Sequence, residues 1–177
     1  MRVAIIGAGL SGLSCAIELE KHCIRPVIFE MRAHIGESID YALIWPRILN
    51  MPIMDPLKYL KKQYGLQLMP VNHMKKIIMY SPKAKATERG SLGYIFRRGY
   101  SKDALEYQLL NCLKAPIIFN RYAEIEDIIN EFNFVVAATS NSIISKKLKL
   151  WTDTFLTLIP ELQRLWEDSS LQILLCG

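Results

Sequence analysis

The hydrophobic pattern begins with a short, unbroken apolar run, Val3–Ile6. Such a run is typical of a parallel strand that is buried on both faces. From Leu10 to His22 apolar residues recur at helical spacing and polar residues gather late, which predicts an amphipathic helix. A second short strand is predicted at Val27–Glu30. Strand, turn, helix and strand together indicate one βαβ unit with a right-handed crossover.

The middle of the chain has a different pattern. Pro56–Tyr64 is predicted as a short helix, with proline at its first position and Gly65 as its stop. The segments "MKKIIMYS", "KAKATERG" and "LGYIFRRG" predict three short strands, with "SPKA" as a turn. We therefore expect a small antiparallel sheet, at about residues 66–98, inserted into the βαβ-based domain.

The last third contains weaker signals. An amphipathic helix is predicted from Asp103 to Leu110, a strand at Pro116–Phe119, and another strand in "EFNFVVAATS". A helix bent at Pro160 is predicted over residues 153–168. The expected fold class is α/β: one domain over 1–152 with a parallel sheet and a small antiparallel β insertion, and a helical tail over 153–177.

The glycines between the first strand and its helix suggest a ligand. Gly7 permits a tight turn, Gly9 leaves room for a pyrophosphate at the backbone, and Gly12 allows close helix–strand packing. The helix N-terminus attracts phosphate. Glu30, at the end of the second strand, can accept ribose hydroxyls and would repel a 2′-phosphate. A glycine-rich turn without a ligand is the alternative.

Composition narrows the function without identifying it. The 177 residues carry a net charge of +5, and 51% are hydrophobic, which suits a folded domain. The lysines and arginines occur in small groups instead of long runs, so we expect no nucleic-acid partner. The four cysteines and three histidines are scattered, which predicts no metal site. With no signal peptide or transmembrane segment recognised, we expect a cytoplasmic protein.

Three stretches resemble a known family. After Glu30, "FEMRAHIGES" places Arg32 and Gly36 as in FAD-dependent oxidoreductases with a glutathione-reductase-like Rossmann domain. "YIFRRGYSKDALEYQLL" resembles the flavin monooxygenase and geranylgeranyl-reductase-like branch, with Arg98 before a helix. "EFNFVVAATS" resembles a strand motif of that family that ends in Ala-Thr-Gly, although Ser140 replaces the glycine.

The resemblance implies that residues 1–152 form a Rossmann-like FAD/NAD(P)-binding domain. It also implies a cofactor and its binding residues. FAD would be the cofactor, with NAD(P)H as a possible reductant. Ala123 would lie against the adenine. The whole set is Gly7, Ala8, Gly9, Leu10, Ser11, Gly12, Glu30, Met31, Arg32, Gly36, Arg98, Ala123, Ala138, Thr139 and Ser140. Neither the residues nor the resemblance indicates a catalytic residue or a substrate.

The sequence also departs from the family. No Gly-Asp motif follows Trp151, Glu37 replaces a second glycine, and Cys23 occupies a position where glycine usually adopts a positive φ. These departures suggest a truncated or frame-shifted relative of a larger flavoprotein. An FAD-dependent oxidoreductase and a non-catalytic dinucleotide-binding remnant therefore both remain open. An NAD-dependent dehydrogenase and a purely structural role are further alternatives.

Overall fold

The computed structural model describes residues 1–36, 40–47, 52–139 and 142–150, together with the backbone of 172–176. Within these residues no helix is long and apolar enough to cross a membrane. The elements in chain order are β1 (Val3–Ile6), α1 (Leu10–Lys21), β2 (Val27–Phe29), β3 (Tyr41–Pro46), α2 (Pro56–Tyr64), β4 (Asn72–Ser81), β5 (Ala84–Arg98), α3 (Leu105–Leu110), β6 (Ile117–Ile118), α4 (Ile125–Ile128), β7 (Phe134–Ala137), α5 (Ile143–Lys147) and β8 (Gln172–Cys176).

A parallel sheet forms the first layer of the fold. Its described strands are ordered β6-β2-β1-β7, and every neighbouring pair is parallel. β1 lies inside the sheet and all four of its residues are buried, as its unbroken apolar run predicts. Because the strands are parallel, their carboxyl ends meet at one edge. The predicted fold class, a Rossmann-like α/β domain, is confirmed.

The two faces of β1 contact different parts of the core. Ile5 belongs to a large cluster that contains Leu13 and Ile17 of α1 and Leu109 of α3. Ala4 and Ile6, which point to the opposite face, pack with Phe29, Ala123 and Ile128 in a second cluster. Alternating side chains of one strand therefore hold helices on both faces of the sheet, which fixes the carboxyl edge between them.

A second, antiparallel sheet has its described strands in the order β3-β5-β4-β8. The turn predicted at "SPKA" is confirmed, because β4 ends at Ser81 and β5 begins at Ala84. The prediction of three strands over 66–98 was wrong in number, since "KAKATERG" and "LGYIFRRG" form the single strand β5. The first half of β5 is exposed, so its sequence does not alternate between apolar and polar residues. Without that alternation the pattern could not show that the two segments form one strand.

The antiparallel sheet also extends beyond the predicted insertion. β3 pairs with β5, and β8 pairs with β4. Phe96 of β5 is fully buried in the large core cluster, where it contacts Trp45 of β3 with 6.1 Å between ring centroids. The two sheets therefore share one core. The helix predicted over 153–168 lies outside the described residues.

Two local predictions at helix ends are confirmed. α2 begins at Pro56, and Gly65 adopts a left-handed conformation with φ 65° at its C-terminus. Cys23 follows α1 with φ 60°, in the position that glycine usually occupies. The sequence therefore places a strained residue at the end of α1, where a glycine would relieve a cost of about 1 kcal/mol.

Asp55 caps α2 and connects it to β5. Its carboxylate accepts a hydrogen bond from the Lys58 backbone N–H at 3.2 Å and another from the Tyr94 hydroxyl at 2.9 Å. Burial raises the pKa of Asp55, but these hydrogen bonds and the Lys58 charge outweigh that effect and lower the pKa below 3.8. The ionised carboxylate therefore stabilises the folded chain.

Replacing Asp55 with alanine is expected to lower the free energy of unfolding by about 1 kcal/mol, because one helix cap is lost. The stabilisation by Asp55 is present above its unfolded pKa near 3.8 and disappears as the pH falls through the lower folded value. Chemical denaturation of wild type and Asp55→Ala at pH 7 and pH 3 measures both effects. Equal stability of the two proteins at pH 7 would contradict this role.

Candidate functional site

A cavity of about 660 Å³ opens at the carboxyl edge of the parallel sheet. Its volume lies in the range of small-molecule and cofactor sites. In an open α/β sheet this edge is where ligands bind, because the loops after the strands converge there. The predicted site residues that line the cavity are Gly7, Ala8, Gly9, Leu10, Ser11, Glu30, Met31, Arg32, Gly36, Arg98, Ala123, Ala138 and Thr139.

The turn from β1 to α1 is fixed by its neighbours in the sheet. The Gly7 N–H donates to the Phe29 carbonyl at 2.8 Å, and the Ala138 N–H donates to the Ile6 carbonyl at 2.9 Å. Gly7 has φ +107°, and a Cβ on it would lie 2.6 Å from the Ala138 carbonyl oxygen. Glycine is therefore required at this position both by the backbone angle and by the close approach of β7.

Gly9 and Gly12 lie on opposite sides of this turn. A Cβ on Gly9 would have no neighbour within 4 Å, so the backbone there faces open space in the cavity. Gly12 is buried behind the turn, where an added Cβ would overlap the Gly7 carbonyl oxygen. Gly12 does not line the cavity; it brings α1 close enough for its first turn to do so.

The N-terminus of α1 has no capping side chain of its own. Gly9 is its N-cap and supplies no side-chain hydrogen bond, and the first turn has no acidic residue. The first N–H groups of a helix have no partner within the helix, and the helix dipole favours an anion beside them. Leu10 and Ser11 of this turn line the cavity. The arrangement can therefore bind phosphate groups through the backbone.

Glu30 lies beside this turn at the end of β2. Its side chain is largely buried, with the residue 9% exposed. One carboxylate oxygen accepts from the Ala8 N–H at 2.8 Å, and the other accepts from the Arg32 N–H at 2.9 Å. Each oxygen can accept more than one hydrogen bond. Glu30 is thus held in one orientation at the cavity wall and keeps acceptor capacity for two ligand hydroxyls.

The loop after Glu30 is fixed in a similar way. The Arg32 guanidinium donates to the Gly36 carbonyl at 2.8 Å, so the loop closes on itself. A Cβ on Gly36 would overlap the Gly99 carbonyl oxygen, which lies just beyond the end of β5. The loop after β2 therefore packs closely against the chain at the end of β5. Glu37 and Ser140 lie outside the described residues.

Arg98 at the end of β5 forms an ion pair inside the cavity. Its Nε donates to Glu106 Oε1 at 2.6 Å, and its Cζ lies 5.5 Å from the centre of the Tyr41 ring. Glu106, in the first turn of α3, is completely buried. Asp40 stabilises the turn between β5 and α3 by accepting from the Tyr100 and Ser101 N–H groups. Arg98 and Glu106 both line the cavity.

Several cavity residues were not predicted from the sequence. They are Ile6, Phe29, Glu106, Arg121, Tyr122, Ala137, Ile143 and Ile144. Arg121 and Tyr122 follow β6, directly before the predicted Ala123, so the position of that strand could have indicated them. Glu106 gave no signal, because its position in a helical pattern is typical of a solvated charge.

The fold and this edge define a Rossmann-like domain, and the comparisons with known proteins agree. The family described as NAD(P)-binding Rossmann-like domain matches residues 5–43. The flavin-containing amine oxidase A of Bos taurus is 30% identical over 86 residues, which covers 44% of this chain and 16% of the relative. The predicted resemblance to FAD-dependent oxidoreductases is thereby confirmed. The chain spans only about a sixth of that relative's length.

Two solved structures match part of the chain. A variant of 2-methyl-3-hydroxypyridine-5-carboxylic acid oxygenase is 18% identical, with 67% of this chain and 31% of that chain covered and a TM-score of 0.44. CtdE, solved in complex with FAD and a substrate, is 17% identical, with coverages of 68% and 30% and a TM-score of 0.37. Each match spans less than a third of the longer protein.

Proposed function

We propose that this chain binds FAD and acts as the cofactor-binding part of an FAD-dependent oxidoreductase. One observation carries the proposal. The glycine turn, the N-terminus of α1 and the Glu30 carboxylate all line the same cavity of about 660 Å³. These are the backbone and side-chain groups that a dinucleotide needs for its diphosphate and its ribose.

The diphosphate would lie against Gly9 and the first turn of α1. The open space in front of Gly9 allows phosphate oxygens to approach the backbone N–H groups of Leu10 and Ser11. Arg32, Arg98 and Arg121 line the cavity together with Glu30 and Glu106. Three guanidinium groups against two carboxylates leave a small positive excess, which favours an anionic ligand.

The adenosine ribose would lie beside Glu30. The carboxylate is held by two backbone N–H groups, and its remaining acceptor capacity suits the two hydroxyls of an unmodified ribose. A 2′-phosphate at this position would be repelled by the carboxylate. The site thus favours FAD or NAD over NADP. If NAD(P)H is the reductant, it binds at a different site.

The loop after β2 favours FAD over NAD. Arg32 and Gly36 stand at the positions that carry the sequence resemblance to flavoproteins, and the bovine relative is a flavin-containing enzyme. FAD, when bound, supplies the redox chemistry. The described residues contribute binding and orientation: the turn holds phosphate, Glu30 holds ribose, and Arg98 and Glu106 offer further polar groups.

FAD binding by the purified chain tests the proposal. The protein is incubated with FAD, freed of unbound ligand by gel filtration, and examined for flavin absorbance in the protein peak. We expect flavin to co-elute with the protein, and addition of a reductant to bleach its visible bands. A protein that binds ADP but no FAD would support a non-catalytic nucleotide-binding module. A protein that binds neither would contradict the proposal.

Replacing Glu30 with glutamine is expected to weaken FAD binding about tenfold, because one carboxylate oxygen becomes an NH₂ group that can accept neither from a ribose hydroxyl nor from the backbone N–H that it faces. Titration calorimetry with FAD measures the change. Glu20→Gln is the matched control: its carboxylate also accepts from a backbone N–H, that of Lys114, but Glu20 does not line the cavity. Equal losses in the two variants would argue against a ribose-binding role.

A further inference from the structure

We propose that the hairpin of β4 and β5 docks this protein on the surface of a membrane that contains anionic phospholipids. The docking element is the part of the hairpin that spans residues 75–89, called the basic ribbon from here on. None of these residues lines the cavity, so the inference goes beyond the proposed cofactor site. It concerns a charged surface for which cofactor binding gives no reason.

The basic ribbon carries most of the net charge of the protein. The whole chain has a net charge of +5, and this segment contains five cations and one carboxylate. None of these six groups forms an ion pair with another described residue. They are Lys75, Lys76, Lys83, Lys85, Arg89 and Glu88. The described part of the fold therefore leaves this positive charge available to an anionic partner.

Strand pairing places like charges next to each other. Lys76 lies directly opposite Arg89, and Lys85 lies opposite Tyr80, with its Nζ 5.0 Å from the centre of the Tyr80 ring. Because paired residues share a face and side chains alternate along a strand, all three cations lie on one face of the ribbon. Like charges directly opposite each other destabilise a sheet. An anion bound between them removes that repulsion.

The other face of the basic ribbon is largely apolar. It carries Ile77 and Met79 of β4, which pair with Glu88 and Ala86 of β5. Ile77 and Met79 are half-buried, and Ala86 is exposed. A basic face beside an apolar face, with a tyrosine among the cations, is typical of elements that lie in the interface of an anionic bilayer. A nucleic acid would contact the basic face and leave the apolar face without a role.

The basic ribbon extends beyond the packed core. All residues in the segment 82–91 are exposed. β3 pairs with β5 only from Gly93 to Arg98, so among the described strands Ala84–Arg89 is paired along one edge only. Lysines on such an edge also prevent pairing with another chain, but that role requires no apolar face. A ribbon that extends in this way can meet a flat bilayer without displacing any packed residue.

Co-sedimentation with vesicles tests the proposal. The full chain is mixed with phosphatidylcholine vesicles that contain about a third phosphatidylserine, or with vesicles of phosphatidylcholine alone. We expect binding to the anionic vesicles only, with release at high salt. In Lys83→Gln/Lys85→Gln/Arg89→Gln three exposed cations are removed. The partition coefficient should then fall roughly a hundredfold, or about fivefold per cation.

A matched variant separates the basic ribbon from net charge. Lys61→Gln/Lys62→Gln/Lys114→Gln removes three exposed cations at the end of α2 and beside α1. Its partition coefficient should stay within about threefold of wild type, because salt screens charges that do not reach the bilayer. Circular dichroism confirms that both variants are folded. Equal losses in the two variants, or binding to duplex DNA without binding to anionic vesicles, would overturn the inference.

Discussion

Replacing Gly12 with alanine is expected to destabilise the domain by roughly 3 kcal/mol. Alanine favours a helix over glycine by about 1 kcal/mol. At this position the added Cβ would overlap the carbonyl oxygen of Gly7, which belongs to a turn fixed by hydrogen bonds from both neighbouring strands. Because backbone lies on both sides of the contact, neither partner can rotate away. The steric cost therefore exceeds the gain in helix propensity.

Chemical denaturation followed by circular dichroism measures this effect. Gly9→Ala is the matched control, because a Cβ at Gly9 has no neighbour within 4 Å and the φ of Gly9 is −80°. Its free energy of unfolding should stay within about 1 kcal/mol of wild type, the size of an altered N-cap. If Gly12→Ala were as stable as Gly9→Ala, the close packing of α1 on the turn would not be required for folding.

The same Gly9→Ala variant, which should change stability little, is expected to weaken ligand binding strongly. Its affinity for FAD and for ADP should fall about a hundredfold, equivalent to about 2.7 kcal/mol. The added methyl group would occupy the space through which phosphate oxygens reach the N–H groups of α1. A folded protein that has lost both ligands would separate the role of Gly9 from that of Gly12. Unchanged affinity in a folded Gly9→Ala protein would contradict the proposed position of the diphosphate.

The first βαβ unit was predictable from sequence because its signals are local. The apolar run of β1, the spacing in α1 and the three glycines lie within 20 consecutive residues, and each glycine corresponds to a distinct steric environment in the structure. The predicted bounds of β1 are those observed, and those of α1 and β2 differ by one residue at the C-terminal end. Local propensity and tertiary packing agree in this segment.

The antiparallel sheet was less predictable because its pairing is not local. β3 pairs with the second half of β5, in the register Tyr41 with Arg98, so its partner lies far along the chain. The exposed half of β5 has no hydrophobic alternation that would mark it as a strand. Strand β8 likewise depends on pairing with β4. Pairing partners, not the pattern of each segment, decide these elements.

The cavity likewise contains residues that the sequence predicts and residues that only tertiary packing brings to it. The predicted residues around Gly7–Ser11 and Glu30 follow directly from the end of a strand, where parallel topology brings loops together. Glu106 was not predicted, because its burial results from the packing of α3 against the core through Leu105 and Leu109. Its partner Arg98 was predicted by family resemblance, and only the structure shows that the two form a pair.

The central claim is that a diphosphate binds to the backbone where β1 passes into α1. The most direct measurement is a titration of ¹⁵N-labelled protein with ADP, followed by amide chemical shifts. We expect saturable changes that are largest at Ala8, Gly9, Leu10 and Ser11 and that also include the Arg32 amide, which donates to Glu30. Changes confined to another part of the chain, or no change at millimolar ADP, would contradict it.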